Sequence, residues 1–464
     1  MDYFREVRSY IEYISWENDL MRGQSSQQLS FGEGFIDPQL FELDDELKRV
    51  DQLLSEREFL KPFEAVFDPT MGRPGTAVDV YLRMMYLKFR WGLSYEEVEV
   101  EVRERLPWRR FCHLSLMDTV PDSTTLIKLN QRFGEDRIAT LNKKLVKHLV
   151  ETKAITPRRI RIDSTTLEAH ITYPTDVGLI HHMVKTLTRT AGKVGVKITN
   201  HVRATKKAVA RLGASLKASK KNRKAQATKT LRAVAALAKE TVEESRKALT
   251  RLAQRSAKRK SERLAKLHRT FAGQIDLAEK ILHQTQEKLS GVDAIAERIV
   301  SFHDPSARVI RKGKLHKPNE FGRTMQLTQD ASGVMLDYQI HEGNPADKAE
   351  LLPMVNRFTR QFHRVPTDLA ADKGYYTADN ITDLRALGVR RIGIPKIGRL
   401  LAHEKKRQHT RWFRHLYHFR CGIEAGISML KRQFSLGRVR SLGNRGTRIW
   451  TGFAIFSYNL WQMT

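Results

Sequence analysis

The chain has 464 residues, and its 82 lysines and arginines outnumber its 52 acidic residues, for a formal net charge of +30. This length allows two or three domains with a sizeable buried core. A positive charge this large repels itself unless a polyanion or counterions offset it, and the usual polyanion is nucleic acid. A ribosome-like or merely very soluble protein would carry a similar charge, so the composition favours a nucleic-acid partner without establishing it.

The cysteines and the apolar runs indicate the cellular compartment in which the protein is expected to work. Cys112 and Cys421 lie far apart in helical patterns, which excludes a disulfide framework and a cysteine-rich zinc site and predicts two small buried side chains. Residues 1–15 are charged and aromatic, unlike a secretion signal, and no run approaches the roughly 18 apolar residues of a membrane span. We therefore expect a cytoplasmic protein with no membrane partner.

The first part of the chain, residues 1–155, shows helical patterns separated by turns. Ser94 and Glu97 fit a capping box at the start of one of these helices. Short helices with exposed arginines are typical of a helix-turn-helix-like DNA reader, although a plain helical bundle would look the same. The predicted helices cover residues 78–90, 95–106 and 124–151, and the turns are Gly72-Arg73-Pro74-Gly75, Pro107-Trp108 and Pro121-Asp122-Ser123.

Strand patterns occur on both sides of a long basic segment. Ile160 and Ile162 alternate with polar residues, which predicts a first strand. Asp330-Ala331-Ser332-Gly333 fits the turn of a hairpin. With the helical patterns that follow, these strands predict an α/β domain carrying a large insertion. The predicted strands cover residues 158–167, 324–329, 334–340, 367–371 and 391–394, and the intervening helices cover 348–362 and 378–387.

The basic segment, residues 178–300, is helical throughout by pattern. From His201 to Thr270 it has 22 lysines and arginines against 4 acidic residues. Its apolar residues recur at near-heptad spacing, which predicts an antiparallel, coiled-coil-like hairpin with one sealed side and one basic side. The one-signed charge favours contact with phosphates, although charged runs are also the ordinary mark of a solvated face. The apolar stripe comprises Leu264, Leu267, Phe271, Ile275, Ala278, Leu282 and Leu289.

Three acidic residues stand where such a fold could bring them together. Asp163 lies on the polar face of the first strand, and Asp372 follows the apolar run Leu369-Ala370-Ala371 at a strand end. Glu424 lies in a helical pattern near the C-terminus. Carboxylates at neighbouring strand ends and one from a packed helix can hold two divalent cations about 3.5–4 Å apart, which activate water or a 3′-hydroxyl at a phosphorus centre.

The helix around Glu424 has an unusual polar face. Tyr417, Arg420, Glu424 and Lys431 follow one another at offsets of 3, 7 and 14 residues from the first, which places them within roughly 60° of one helical face. A carboxylate, two cations and a phenol make a poor core face but can hold a metal ion and a phosphate. The neighbouring apolar stripe, which would pin the helix to a sheet, comprises Leu416, Phe419, Ile423, Leu430 and Phe434.

Each acidic residue also has a structural interpretation. Asp163 could be a turn or cap residue, and Asp372 could simply end its strand. Glu424 could form a surface ion pair with Arg420 or Lys431. Nearby acidic residues compete for the same roles, namely Glu168, Asp176, Asp368 and Asp379.

Together these motifs resemble those of insertion-sequence transposases with a DDE triad. The Asp-x-Gly-aromatic motif around the second acid of that family is matched by Asp372-Lys373-Gly374-Tyr375. The Tyr-x2-Arg-x3-Glu-x6-Lys signature around the third acid is matched at every position by Tyr417, Arg420, Glu424 and Lys431. Weaker similarities to the family lie in Arg161-Ile162-Asp163-Ser164-Thr165-Thr166, in Tyr173-Pro174-Thr175-Asp176, and in residues 71–135.

The resemblance implies a fold and a domain arrangement. Residues 156–177 and 301–464 would form a ribonuclease H-like catalytic domain, a mixed sheet flanked by helices. Residues 1–155 would be a helical N-terminal domain that binds the DNA end. The basic insertion at 178–300 departs from the simple pattern and could be a DNA clamp, a dimer element, or both.

The resemblance also implies a site and partners. Asp163, Asp372 and Glu424 would be the catalytic residues and would bind two Mg²⁺ ions, with Mn²⁺ able to substitute. Tyr417, Arg420 and Lys431 would contact DNA, Arg420 gripping a phosphate bidentately and Lys431 acting as a point charge. The partners would be double-stranded transposon ends and target DNA, with a homodimer in the synaptic complex at the bacterial nucleoid.

Two other hypotheses remain open from the sequence. One is a decayed, non-catalytic DNA-binding protein, although the intact triad argues against decay. The other is a two-metal nuclease of the same fold that performs no strand transfer. Nucleotide hydrolysis is disfavoured because the sequence lacks a G-x-x-x-x-G-K-[ST] loop. Trp412 and Trp450 could stack on a flipped base or be buried.

Overall fold

The computed structural model describes residues 34–67, 75–214, 220–259, 261–292, 294–311, 319–396 and 398–464. Of the predicted features, residues 1–15 and the turn residues Gly72, Arg73 and Pro74 lie outside these ranges. The described helices before the basic segment are α1 (Asp45–Leu54), α2 (Arg57–Glu64), α3 (Val78–Arg90), α4 (Tyr95–Glu104), α5 (Leu106–Phe111) and α6 (Ser123–Glu151).

The remaining elements follow in chain order. The other helices are α7 (Asp176–Lys193), α8 (Val202–Ala214), α9 (Lys220–Arg259), α10 (Glu262–Leu289), α11 (Asp347–Phe362), α12 (Ala378–Ala386), α13 (Ala402–Gln408), α14 (Arg411–Gln433) and α15 (Gly443–Gln462). The strands are β1 (Arg159–Glu168), β2 (Arg308–Arg311), β3 (Asn319–Asp330), β4 (Met335–His341), β5 (Asp368–Ala371) and β6 (Arg391–Gly393). None of the helices in the described ranges combines the length and apolar character needed to cross a membrane.

The chain divides into two compact units. Unit 1 comprises Met1–Glu168, Thr324–His341 and Pro345–Thr464, and unit 2 comprises Ala169–Arg323 and Glu342–Asn344. The division of the sequence into a DNA-end-binding domain, a catalytic domain and an insertion stays a prediction.

Unit 1 contains most of the mixed sheet that the resemblance predicts, namely β1, β4, β5, β6 and residues 324–330 of β3. β5 pairs with β1 and with β6 in parallel, and β3 pairs with β4 in antiparallel. β3 is also the other neighbour of β1. The contact of Arg161 with Gln329, and that of Ala169 with Phe321, show that β1 and β3 run in opposite directions. The parallel strands β5 and β6 therefore lie on one side of β1, β5 being its direct neighbour, and the antiparallel β3–β4 hairpin lies on the other.

The turn between β3 and β4 uses the residue types that the sequence pattern indicated. Gly333 has a φ of +94°, a conformation that glycine adopts without the strain of a side chain. The Asp330 carboxylate accepts hydrogen bonds from the Val334 N–H at 2.9 Å and from the Ser332 hydroxyl at 2.7 Å. The predicted β3–β4 hairpin is confirmed, as is the capping box of Ser94 and Glu97 at the start of α4.

The helix that begins at Tyr95 ends close to its predicted end, but the predicted turn at Pro107-Trp108 is wrong. α4 ends at Glu104, and a separate short helix, α5, begins at Leu106 and includes both residues. Proline fits the first turn of a helix because its missing N–H has no partner to lose there. Trp108 is buried in the core of unit 1.

The N-terminal helices of unit 1 are buried and carry charges inside. α3 spans the predicted residues 78–90, and nearly all of its side chains are buried. α15 packs against α3 and α6. The Arg83 guanidinium is fully buried and donates to the Asp51 carboxylate at 2.7 Å. These helices therefore share one core with the sheet rather than forming a surface layer of short, exposed elements.

The hairpin predicted in the basic segment is incomplete: the consecutive helices α9 and α10 do pack against each other, but α7 and α8 pack with them. Four helices, α7 to α10, pack together in unit 2, with α9 in contact with each of the other three. The predicted stripe does face the core: Phe271, Ile275 and Ala278 are buried, and the stripe's leucines are partly buried around them. A stripe shows that a helix has a buried side, but not how many helices cover it.

Candidate active site

The register between β1 and β5 places two of the predicted acids side by side. Ile162 pairs with Ala371 across these parallel strands, so the next residue on each strand is Asp163 or Asp372. β1 continues to Glu168, so Asp163 lies inside its strand, whereas Asp372 comes directly after β5. Burial raises the pKa of the Asp163 carboxyl to about 6, and the negative charges of Asp372 and Asp347 add to this effect.

Helix α14 lies against the sheet because three glycine contacts allow a close approach. A Cβ added at Gly422 would lie 1.9 Å from Nη1 of Arg161 on β1. One added at Gly426 would lie 2.6 Å from Nε2 of Gln329 on β3. On β6, a Cβ at Gly393 would lie 2.7 Å from the Leu416 side chain. The helix thus contacts β1, β3 and β6, it also packs against β5, and its apolar stripe faces the sheet as predicted.

Arg161 locks this helix in place. Its Nη1 donates to the Phe419 carbonyl at 3.0 Å, and its Nε donates to Gln329 Oε1 at 2.7 Å. Its guanidinium also lies over the Phe419 ring, 4.9 Å from the centroid. A strand residue therefore holds the middle of α14, one turn before Glu424.

Arg420 joins the third predicted acid to the first. Its Nη2 donates to Glu424 Oε1 at 2.8 Å, and its Nη1 lies 3.7 Å from Asp163 Oδ2. The Arg420 side chain is mostly buried, whereas that of Glu424 is 62% exposed. Of the two ion pairs that the sequence allows for Glu424, the structure contains the one with Arg420. This pair does not exclude a catalytic role, because the same guanidinium lies close to both Glu424 and Asp163.

The other residues of the signature lie on the same helix. Tyr417 is 36% exposed, and its ring lies 5.5 Å from the Arg420 guanidinium. Lys431 is half-buried in the last turn of α14, two helical turns beyond Glu424 or roughly 10 Å along the axis. Cys421 is exposed, so the prediction of two buried cysteines holds only for Cys112.

The rival acids have other partners or positions. Asp368 accepts from Arg391 at 2.8 Å and forms an ion pair with Arg159. Asp176 pairs with Arg298 within unit 2. Asp379 is exposed in the first turn of α12. Of the two tryptophans that could stack on a flipped base, Trp450 is instead buried, and its indole N–H donates to the Ser435 carbonyl at 2.9 Å.

The structure adds one carboxylate that the sequence analysis missed. Asp347 is the first residue of α11, and a Cβ added at Gly374 would lie 3.3 Å from its Oδ2 atom. Gln326 donates to its Oδ1 atom at 2.9 Å. The only signal in the sequence was an acid just before the predicted helix at 348–362, which ordinarily means a favourable charge at a helix N-terminus.

The chemistry of these groups suits hard divalent cations, which prefer carboxylate oxygens. Within the described ranges, no three Asp, Glu, His or Cys side chains lie close enough together to form a metal-binding group as they stand. Arg420 explains part of this arrangement, because its guanidinium lies where a cation would contact Asp163 and Glu424. The carboxylates are of the kind that hard cations bind, but in this structure they do not form one metal-binding group.

Comparison with known proteins bears on this site. Residues 37–132 match the family model described as "Transposase domain (DUF772)", and residues 297–460 match the one described as "Transposase DDE domain". An uncharacterized protein, ORF8 in the nfe locus of Rhizobium meliloti, is 28% identical over 171 residues, which are 36% of this chain and 82% of that protein. No solved structure matches the chain significantly.

The two family matches cover the N-terminal helices and most of the sheet with α14. The DDE domain implies a ribonuclease H-like fold and an enzyme that acts on DNA, generally with divalent metal ions. The parallel β1–β5 pair, the antiparallel hairpin and the packed helix agree with that fold. Two segments of the chain thus match transposase family models, and these matches support a DNA transposase of the insertion-sequence, DDE kind.

Proposed function

We propose that this protein cleaves DNA at the terminal inverted repeats of its element and joins the freed 3′-hydroxyl to target DNA. Asp163, Asp372 and Glu424 are the catalytic carboxylates and bind two Mg²⁺ ions, for which Mn²⁺ can substitute. The observation that carries the proposal is the β1–β5 register, which sets Asp163 beside Asp372 while Arg420 ties Glu424 to Asp163.

The divalent cations would supply the activation of water or of a 3′-hydroxyl and the charge that offsets the reacting phosphate. The protein's own part is to hold the donors. β1 and β5 fix two carboxylates on neighbouring strands, and Arg161 holds the helix that carries the third. Because its pKa is raised only to about 6, the Asp163 carboxyl is mostly ionised at pH 7, as a metal ligand must be.

The DNA contacts would come from the same helix. Arg420 is able to exchange its carboxylate partners for a phosphate, since all three offer paired oxygens to a guanidinium. Tyr417 stands exposed beside it, and Lys431 lies further along the helix as a second positive charge. The partners are the transposon ends and the target duplex, and two ends require a homodimer in the synaptic complex.

The test is cleavage of a labelled duplex that carries the element's own terminal repeat, with Mg²⁺ or with EDTA. Scission at the repeat boundary that needs metal and is lost in Glu424→Gln supports the proposal. Asp379→Asn is the matched control, because Asp379 is an exposed acid to which the proposal gives no role, and its loss should leave cleavage unchanged. A Glu424→Gln variant that cleaves at the wild-type rate would contradict the assignment.

Two other outcomes would identify the alternative functions. Tight, salt-sensitive binding without scission in any divalent metal would indicate a non-catalytic DNA-binding protein. Metal-dependent scission without joining to a second duplex would indicate a nuclease. The intact set of carboxylates favours the transposase over the first of these.

A further inference from the structure

Unit 2 contains three histidines whose rings lie side by side. The ring centroids of His181 and His182 are 5.6 Å apart, and those of His182 and His303 are 5.7 Å apart. Nδ1 of His181 also lies 2.9 Å from the Thr205 hydroxyl, which joins α7 to α8 at this point. His303 is exposed and the other two are partly buried, so a ligand can reach the cluster from solvent.

Cations lie around these imidazoles. Lys185 and Arg189 follow His181 on α7 at intervals of four residues, which places the three on one side of the helix. Lys206 is the residue after Thr205 on α8, and α8 carries four lysines and arginines and no acid. All three of these cations are exposed. We call the whole group the histidine patch, and it comprises His181, His182, Lys185, Arg189, Lys206 and His303.

The charges that act on the imidazoles are positive. Burial lowers the pKa of each of the three, and the charge of Lys185 lowers each of them further. Arg189 adds to this effect at His303, and Lys206 adds to it at His181. No carboxylate in the part of the chain that the structure describes raises these pKa values. Like charges held this close repel one another, so the patch costs free energy unless an anion offsets it.

Elsewhere in unit 2 a histidine and an arginine do have acidic partners. His201 lies 3.1 Å from the Glu240 carboxylate. Asp304, the acid next to His303 in sequence, is fully buried and pairs with Arg323. An ordinary solvated face would explain exposed lysines. It would not explain why three histidines collect among them where no carboxylate acts on them.

We propose that the histidine patch binds phosphate groups of the DNA backbone. Lysine and arginine are the ordinary protein ligands of phosphate, and imidazole adds N–H donors beside them. From His181 to Arg189 the side chains follow α7 for about 12 Å, which suits an extended backbone better than a single anion. The inference rests on the proposed function for its partner, DNA, but it concerns a different surface. It assigns part of the basic insertion to sequence-independent contact with the duplex.

The experiment measures binding of the full chain to a labelled duplex that lacks the terminal repeat, by fluorescence anisotropy at several salt concentrations. The test variant combines Lys185→Gln, Arg189→Gln and Lys206→Gln. We expect its affinity at low salt to fall about tenfold or more, and the slope of log affinity against log salt to become shallower by about 2–3, since each lost phosphate contact removes about 0.9. The variant should melt no lower than the wild type, because a like-charge repulsion is removed.

The pH dependence of binding gives a second readout. A bound phosphate favours the charged imidazole, so DNA binding takes up protons and the affinity should rise as the pH falls through the ordinary histidine pKa of 6.5. A variant with His181→Gln, His182→Gln and His303→Gln should lack this part of the rise. An equal pH dependence in this variant and the wild type would contradict the participation of the histidines.

The matched control removes the same charge from exposed positions of α10, with Arg263→Gln, Arg269→Gln and Lys280→Gln. It should bind the duplex much more like the wild type than the test variant does. If both triple variants lose affinity equally, or the test variant binds as the wild type does, the inference is overturned.

These outcomes are separable from those of the proposed function. DNA binding that depends on the histidine patch, in a protein that cleaves no DNA in any divalent metal, would support the inference and contradict the transposase proposal. Metal-dependent cleavage at the repeat, together with wild-type binding by the test variant, would contradict the inference alone.

Discussion

Two arginine–carboxylate clusters in this chain differ in how firmly they are held. In unit 2, Arg323 and Asp304 are both buried, and two nitrogens of the guanidinium donate to the two carboxylate oxygens at 3.0 and 2.6 Å. In unit 1, Arg420 makes one short contact to an exposed Glu424 and a longer one to Asp163. The first cluster has the geometry of a structural pair. The second leaves its carboxylates able to change partners, as a metal and phosphate site requires.

The largest expected effect is on the buried pair. Asp304→Ala leaves the Arg323 charge buried without its partner, which should lower the free energy of unfolding by about 3–5 kcal/mol. The measurement is urea denaturation of the full chain. The double variant Asp304→Leu with Arg323→Met should recover much of the loss, because it removes both charges. A loss below about 1 kcal/mol in Asp304→Ala would show that the pair is more hydrated than its burial indicates.

Another buried cation, Lys88, extends the comparison because no carboxylate among the described residues forms a hydrogen bond or ion pair with it. Its ammonium is fully buried, finds no hydrogen-bond acceptor among the described residues, and lies 4.2 Å from the centroid of the Trp450 ring. Burial, reinforced by the nearby charge of Arg440, lowers its pKa to about 7. Lys88→Met should therefore raise the free energy of unfolding at pH 7 by about 1–4 kcal/mol.

The sign of the pH dependence tests this explanation. Between about pH 7 and the ordinary lysine pKa of 10.5, the unfolded chain binds a proton that folded Lys88 does not. Stability should rise with pH across this window, and Lys88→Met should lack that part of the rise. Denaturation curves at several pH values, compared with a variant of the exposed Lys239, check this. An equal slope in Lys88→Met and the wild type would mean that the aromatic rings keep the ammonium charged.

A change in the packing of α14 should have a smaller effect on stability but a direct one on the site. Gly422→Ala places a Cβ in the position of the Arg161 guanidinium, which should cost about 1–3 kcal/mol and reduce cleavage because Glu424 shifts. Gly273→Ala in α10 is the matched control, since nothing lies within 4 Å of its added Cβ. That control should gain about 0.4–1 kcal/mol. If the two variants were equally stable, the close contact between Gly422 of α14 and Arg161 of β1 would not restrict the side chain at position 422.

The smallest stability effect should be at Glu424 itself. Its pair with Arg420 is an i,i+4 helix pair with an exposed carboxylate, and such pairs contribute about 0.3–0.5 kcal/mol. Glu424→Gln should thus leave the melting temperature nearly unchanged while it abolishes cleavage. If Glu424→Gln lost as much stability as Asp304→Ala, the Arg420–Glu424 pair would be a structural pair like Arg323–Asp304, and the two clusters would not differ.

Much of the local structure could be predicted because it depends on residues close in sequence. The strand at 159–168, the hairpin around Gly333 and the helix at 78–90 follow from periodicity and turn chemistry. The errors arose where a local signal had two meanings. Pro107 could end a helix or begin one, and the apolar stripe from Leu264 could seal a hairpin or a four-helix assembly.

The sequence by itself determined the basic charge, the helical face that carries Tyr417, Arg420 and Glu424, and the candidate acids, because helix and strand periods are fixed by backbone geometry. Only the tertiary structure decided which carboxylates meet. Asp163 and Asp372 are about 200 residues apart in sequence, and their proximity depends on hydrogen bonds between β1 and β5. The place of Asp347 depends in turn on Gln326 and Gly374, contacts between distant segments that no local pattern encodes.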